Sequence, residues 1–120
     1  MNRRKEKQTN GIGSLDQGDL IMMNFDPTKG HEQAGYRPAV IVSNKDYMKF
    51  MQLAIVCPVT NHRKDFPSHI LLDERTVTTG AVLCEHLRTV DLQARDAKFV
   101  EKLPLDIFED VKDCIQSCFD

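Results

Sequence analysis

The amino-acid sequence predicts a mainly β protein, built as a small β-barrel that is followed by a C-terminal α-helix. Short apolar runs, rich in β-branched residues, alternate with turn formers over most of the chain. Many short strands joined by local turns in one small domain are typical of a barrel. Near residue 104 the apolar spacing changes to three and four residues, which predicts the helix. The expected strands are 19–25, 37–43, 52–59, 68–72, 80–90 and 97–102.

The C-terminal helix is expected to begin at Pro104, because proline is tolerated in a first helical turn. Acidic side chains early in the helix would complement its positive end. An apolar stripe along one side should pack on the barrel. Its members are Phe108, Val111, Ile115 and Cys118. One further helical turn is expected over 44–50, between two strands.

The chain is expected to consist of an arm and one domain. Residues 1–15 are polar, carry four basic side chains and lack periodicity, so we expect a disordered basic arm. It is either a solvated tail or a contact for nucleic-acid phosphates. Residues 16–120 should form a single domain, because a chain of this length has no room for a second core.

Composition and charge exclude some classes of protein. No apolar run approaches the ~20 residues that span a bilayer, and the first 13 residues are too polar for a secretory signal. We therefore expect no membrane association. The net charge is −2, but residues 101–120 hold six acidic and two basic side chains, and the rest of the chain is slightly basic. This distribution permits nucleic-acid binding without predicting it.

The four cysteines favour a reducing cytoplasm. Cys57 and Cys84 lie in apolar runs and are expected to be buried as small hydrophobic residues. Cys114 and Cys118 share a helix face, either as core-facing thiols or as zinc ligands with histidine partners. Since no second ligand pair has zinc-like spacing, we expect neither a metal nor a cofactor.

The segment between the first two strands is the most informative part of the chain. Eleven residues separate Phe25 from Arg37. A loop that long in a compact domain is usually functional or disordered. Its hydrogen-bonding side chains suit an anion-binding lip, and they are Thr28, Lys29, His31, Glu32 and Gln33.

Arg37 stands where this loop enters the second strand. Pro38 disfavours helical backbone at Arg37, and Gly35 allows a tight turn just before it. A permanently charged, forked donor at this junction suits a phosphate. The alternative is that Arg37 ties the loop to Asp26 or Glu32, and spacing alone does not decide between the two.

Thr60 ends an apolar run that begins at residue 53, and Asn61 follows it. We expect the hydroxyl and the amide to reach open space there. Threonine at a strand end is commonly structural, so this position alone is weak evidence for a site.

Residues 18–118 resemble the MazF/PemK family, the toxin endoribonucleases of bacterial toxin–antitoxin pairs. The resemblance rests on a Gly-x-Arg-Pro motif at 35–38, a Pro-x-Thr motif at 58–60 and the later segment 80–91. It implies a small SH3-like barrel of the CcdB/PemK type with a C-terminal helix. It also implies that Arg37 and Thr60 are the catalytic pair.

The resemblance further implies metal-independent, sequence-selective cleavage of single-stranded RNA. The RNA 2′-hydroxyl would attack, leaving a 2′,3′-cyclic phosphate and a 5′-hydroxyl. The family forms homodimers, and a MazE-like antitoxin would lay an acidic tail over the RNA groove. Family proposals give the proton to the arginine, and Glu32 is the alternative carrier. The expected RNA-binding residues are Lys29, His31, Gln33, Asn61 and His86.

The later segment has Glu85-His86 where the family commonly has Asp-Gln, so rules for the RNA target should not be transferred. His86 is alternatively an interfacial or core histidine. Two other functions are a non-catalytic gyrase-poison toxin of the same architecture and an SH3-like adaptor. The pair Arg37 and Thr60 favours the enzyme over the first, and the absence of Trp disfavours an aromatic adaptor groove.

Overall fold

Within residues 11–26, 35–62 and 67–120, which the computed structural model describes, the chain forms seven strands and two α-helices. A 3-10 turn at Gly11–Ser14 precedes the first strand. The strands are β1 (Asp19–Asn24), β2 (Tyr36–Ile41), β3 (Ala54–Thr60), β4 (His69–Leu71), β5 (Ala81–Leu83), β6 (Arg88–Val90) and β7 (Lys98–Lys102). The helices are α1 (Lys45–Met51) and α2 (Leu105–Ser117).

β3 is the centre of the sheet, and every strand pairing in the described part is antiparallel. One edge of β3 pairs with β2, which continues to β1 and then β7. The other edge is shared, with β6 beside residues 54–56 and β5 beside residues 59–60. β4 pairs only with β5 among the described strands. The predicted mainly β fold with a C-terminal helix is confirmed, although strand pairing does not close the barrel among these residues.

The single strand predicted over 80–90 is two strands, β5 and β6, separated by a 3-10 turn at Cys84–His86. Hydrogen bonds to residues at the start of β4 hold this turn, so that β5 and β6 do not form one continuous strand. The backbone N–H of Cys84 donates to the carbonyl of Ser68, and the Glu85 carboxylate accepts from Ser68 and His69. The sequence pattern missed the break because the apolar run continues through Cys84.

Successive residues of β3 point to opposite faces, and a separate core lies on each face. The first core contains Leu15, Ile21, Met23, Phe25, Ala39, Ile41, Ala54, Val56, Val90, Leu92 and Ala97. The second core contains Leu20, Val40, Cys57, Val59, Val82, Cys84, Leu103, Ile107, Phe108 and Val111. Cys57 and Cys84 are thus buried, as predicted.

Helix α2 covers the second core through Ile107, Phe108 and Val111, which confirms the predicted packing. Cys118 departs from the predicted stripe and is exposed. The helix ends at Ser117, so Cys118 lies beyond its last turn. None of the helices in the described ranges is long and apolar enough to cross a membrane.

Leu15, the last residue of the predicted arm, belongs to the first core and is only 2% exposed. Burying a leucine stabilises a fold by about 1.5–3 kcal/mol, which outweighs the polar character of its neighbours. The remainder of the predicted arm, residues 1–10, lies outside the described residues.

Candidate active site

Arg37 is half-buried on β2, directly after the turn that ends the 26–36 loop. Pairing with β1 places it opposite Met23, a residue of the first core. Gly35 has a φ of +81°, a left-handed conformation that favours glycine. Sheet pairing and this turn therefore hold the arginine backbone at the edge of the first core.

The stem of the same loop is closed by Asp26 and Arg95. Asp26 Oδ1 accepts from the backbone N–H of Gly35 at 2.9 Å. Arg95 Nη1 donates to the Asp26 carbonyl at 2.6 Å, and the Arg95 carbonyl accepts from the N–H of Asn24 at 2.8 Å. These bonds close the stem of the loop at Asp26.

Arg37 and Thr60 lie at the same end of the neighbouring strands β2 and β3. The last pair of the ladder at that end is Ala39 opposite Pro58, and Arg37 and Thr60 each lie two residues beyond it. Residues two apart on a strand share a face, and Ala39 belongs to the first core. Both predicted catalytic residues therefore lie on the first-core face at one end of the sheet.

Thr60 is buried, with 3% exposure, whereas we expected its hydroxyl to reach open space. The reason is that β3 is a central strand, with β5 paired beside Thr60 on the opposite edge from β2. Its Oγ1 accepts from the N–H of His62 at 3.1 Å. That bond does not use the hydroxyl proton, which can still be donated to an anion. Asn61 is exposed, as expected.

Gly80 packs against the backbone of Thr60, and it was not among the site residues predicted from the sequence. Its φ is +118°, and a Cβ there would overlap the Thr60 carbonyl oxygen and lie 2.8 Å from the carbonyl carbon. Thr79 Oγ1 also donates to Asn61 Oδ1 at 3.3 Å. A glycine before a strand is too common a signal to have revealed this contact.

A second arginine lies on the face of the first core. Arg88 on β6 is opposite Val56, and its guanidinium carbon is 5.7 Å from the centre of the Phe25 ring. Such cation–π contacts orient an arginine while leaving its N–H groups as donors. Arg88 was not predicted as a site residue, because one continuous strand was expected over 80–90.

His86 lies in the 3-10 turn beside Glu85, with 3.8 Å between its Nε2 and the carboxylate. The same carboxylate is closer to His69 Nε2, at 2.8 Å, and accepts from the Ser68 hydroxyl. Burial raises the pKa of Glu85, but the hydrogen bonds from His69 and Ser68 outweigh burial and hold the pKa below its ordinary value. The group beside His86 is therefore a carboxylate at neutral pH.

Four predicted residues, Lys29, His31, Glu32 and Gln33, lie outside the described residues. Within the described ranges, no three His, Cys, Asp or Glu side chains are grouped so that they could hold a metal ion. Burial raises the pKa of Cys57 to about 12. A thiol with so high a pKa stays protonated and is a poor nucleophile or metal ligand.

Comparison with known proteins identifies the family. The sequence profile of the PemK-like, MazF-like toxins of type II toxin–antitoxin systems matches residues 16–119. The chain is 36% identical to Endoribonuclease PemK of Escherichia coli over 101 residues, covering 81% of this chain and 76% of that protein. It is 38% identical to the Endoribonuclease toxin MazF of E. coli K12 over 82 residues, 68% of this chain and 73% of that protein.

Solved structures of MazF proteins are similar to this chain in both sequence and fold. The crystal structure of MazF from Deinococcus radiodurans is 34% identical, with a TM-score of 0.82 over 88% of this chain and 96% of that chain. A MazE–MazF crystal structure from the same organism is 30% identical, with a TM-score of 0.75 over 88% and 94% of the two chains. The chain therefore belongs to the family of PemK-like, MazF-like toxins of type II toxin–antitoxin systems.

Proposed function

We propose that this chain is the toxin of a toxin–antitoxin pair and a sequence-selective endoribonuclease that cleaves single-stranded RNA, mRNA above all, without a metal ion. The observation that supports the proposal is that Arg37 and Thr60 lie at the same end of the paired strands β2 and β3, each two residues beyond the Ala39–Pro58 pair. Relatives at 36% and 38% identity are named endoribonucleases, which supports the same activity here.

The chemistry needs little from the protein, because RNA carries its own nucleophile. The 2′-oxygen forms a bond to phosphorus and the bond from phosphorus to the 5′-oxygen breaks, so that a 2′,3′-cyclic phosphate and a 5′-hydroxyl result. Negative charge builds on the non-bridging oxygens in between. The forked cation of Arg37 and the hydroxyl proton of Thr60 stabilise that charge.

Two groups are candidates to accept the proton of the 2′-hydroxyl. Arg37 is a poor general base, because an arginine side chain stays protonated at neutral pH and has no free lone pair to accept the proton. Glu32 carries a carboxylate, an ordinary group for general-base catalysis. A pH–rate profile of Glu32→Gln decides between them. If Glu32 is the base, the substitution removes the acidic limb of the profile; if it is not, the limb remains.

The RNA groove, in this proposal, includes Asn61 beside Thr60, His86 in the 3-10 turn and the loop residues Lys29, His31 and Gln33. We also propose that the chain acts as a cytoplasmic homodimer, inhibited by a MazE-like antitoxin. The Deinococcus structures named as MazE–MazF support the antitoxin assignment. The four cysteines, all of them described and all free thiols, support a reducing compartment.

The test is to incubate the purified protein with a long RNA in EDTA and to map the cut ends. We expect cleavage with 2′,3′-cyclic phosphate and 5′-hydroxyl ends. A single 2′-deoxy substitution at a cut position should block that cut, because it removes the nucleophile. Strict dependence on added Mg²⁺, or cutting at a 2′-deoxy position, contradicts the proposal.

A further inference from the structure

A β-bulge in β7 turns Glu101 towards the second-core face of the sheet. Ile21 pairs with Phe99 but Leu20 pairs with Glu101, so Val100 is an extra residue in the ladder. Bulges of this kind re-aim a side chain. Phe99 packs against the first core, whereas Glu101 is opposite Leu20 of the second core.

The Glu101 carboxylate accepts hydrogen bonds from the middle of the 72–80 loop, which joins β4 to β5. Its two carboxylate oxygens accept from the N–H of Val77 at 3.1 Å, from the N–H of Thr78 at 2.9 Å and from the Thr78 hydroxyl at 2.9 Å. Hydrogen bonds to an ionised acceptor are roughly twice as strong as neutral ones. The carboxylate therefore fixes the loop two residues before Gly80.

Gly80 links the position of the 72–80 loop to the backbone of Thr60. Its carbonyl accepts from the N–H of Leu72 at 2.9 Å, so the base of the loop is closed at this residue. Its Cα lies so close to the Thr60 carbonyl that a Cβ has no room. Movement of the loop would therefore move the backbone of Thr60.

We propose that Glu101 and Gly80 are positioning residues for Thr60. Glu101 holds the 72–80 loop so that Gly80 stays packed on the Thr60 backbone, which keeps the Thr60 hydroxyl aligned with Arg37 and the scissile phosphate. The inference rests on the proposed function, since it assigns a role to Thr60 in cleavage.

The same loop has a second anchor that serves as an internal control. Arg75 forms ion pairs with Asp73 at 2.8 Å and with Asp106 of α2 at 2.9 Å. About half of the Arg75 side chain is exposed, as is most of that of Asp106. Exposed ion pairs contribute little to structure, so the loop should depend on Glu101 and hardly on Asp106.

The experiment compares Glu101→Gln with Asp106→Asn under single-turnover conditions, together with RNA affinity. In glutamine, an amide NH₂ group replaces one carboxylate oxygen of Glu101. This donor then faces a backbone N–H group that needs an acceptor. We expect Glu101→Gln to lower the cleavage rate about ten- to hundredfold, the scale of a small misplacement. RNA affinity should change by less than about twofold, and Asp106→Asn should leave both within about twofold.

The deciding readout is a double-mutant cycle with Thr60→Val. If Glu101 acts through the Thr60 hydroxyl, Glu101→Gln should slow the Thr60→Val protein by less than about twofold. Equal slowing in both backgrounds would show a merely structural role and overturn the inference. Gly80→Ala, whose Cβ presses on Thr60 directly, provides a second variant with the same expected pattern if Glu101→Gln does not fold.

The outcomes also separate this inference from the proposed function. If the wild-type protein does not cleave RNA, the proposed function fails and the inference falls with it. If Arg37→Ala and Thr60→Val both cleave at the wild-type rate, the roles proposed for Arg37 and Thr60 fail, and the inference falls with them. If those two variants are impaired while Glu101→Gln and Gly80→Ala cleave normally, only the positioning role is refuted.

Discussion

The two ends of β3 differ in what flanks them. At its start, Val56 lies between Ile41 of β2 and Arg88 of β6 and is fully buried in the first core. At its other end, Thr60 pairs with Ala81 of β5, and Arg37 lies at the same end of the neighbouring strand β2. The apolar end contributes packing, whereas the polar end brings a hydroxyl and a guanidinium to one edge of the sheet.

The difference shows how a short strand supports both a fold and a reaction. Pairing with Ala81 of β5 holds the backbone of Thr60, so that its side chain is positioned without being needed for the core. Substitutions at the Thr60 end should therefore change the rate of cleavage, and substitutions at the Val56 end should change stability.

Arg37→Ala should lower the single-turnover cleavage rate at least about a hundredfold, the scale of losing a preorganised transition-state donor. Arg37→Lys should rescue poorly, because a point charge does not reproduce the fork. Arg75→Ala is the matched control, an exposed arginine whose removal should leave the rate unchanged. A folded Arg37→Ala protein that cleaves at a near-normal rate would remove Arg37 from the site.

Thr60→Val should lower the same rate by about ten- to a hundredfold, since it deletes one hydrogen-bond donor to the phosphate while keeping the shape of the side chain. Thermal unfolding should change little, because the hydroxyl accepts only one backbone hydrogen bond in the described structure. Thr60→Ser, which retains the hydroxyl, should recover most of the activity. A serine variant as slow as the valine variant would argue against a role for the hydroxyl.

Val56→Ala should lower the free energy of unfolding by about 2 kcal/mol, from two lost methyl groups and the cavity that they leave. This corresponds to a fall in Tm of roughly 6–10 °C. The cleavage rate per folded molecule should not change. Val77→Ala, at a side chain that is 86% exposed, is the control and should cost less than about 0.5 kcal/mol. Loss of intrinsic rate in folded Val56→Ala would break the separation between the two ends.

Glu85 should add a small pH dependence to stability. Because its pKa is lowered in the folded state, its contribution is present above the ordinary value of 4.5 and is lost as pH falls through the folded-state pKa. The difference in Tm between wild type and Glu85→Gln should therefore be constant near neutral pH and shrink below pH 4.5. A difference that grows on acidification would reverse the sign and contradict the described hydrogen bonds.

Much of the fold was predictable, and the candidate pair Arg37 and Thr60 could be selected, because both signals are local. Apolar alternation located β1, β2, β3 and β7 to within about two residues, and three- and four-residue spacing located α2. The residues before and after Pro38 and Pro58 define motifs that directed attention to Arg37 and Thr60. Whether these two catalyse the reaction stays a prediction.

Tertiary structure decided the features that depend on contacts between distant segments. The break between β5 and β6 arises from bonds to Ser68 and His69, and the aim of Glu101 arises from a bulge against β1. Gly80 gains its role only because its backbone meets Thr60. A local pattern records which side chains a segment prefers to bury, but it does not record which segment arrives opposite. The amino-acid sequence therefore determined the elements and indicated the candidate pair, while the packing of β7 and the 72–80 loop decided where Glu101 and Gly80 lie relative to Thr60.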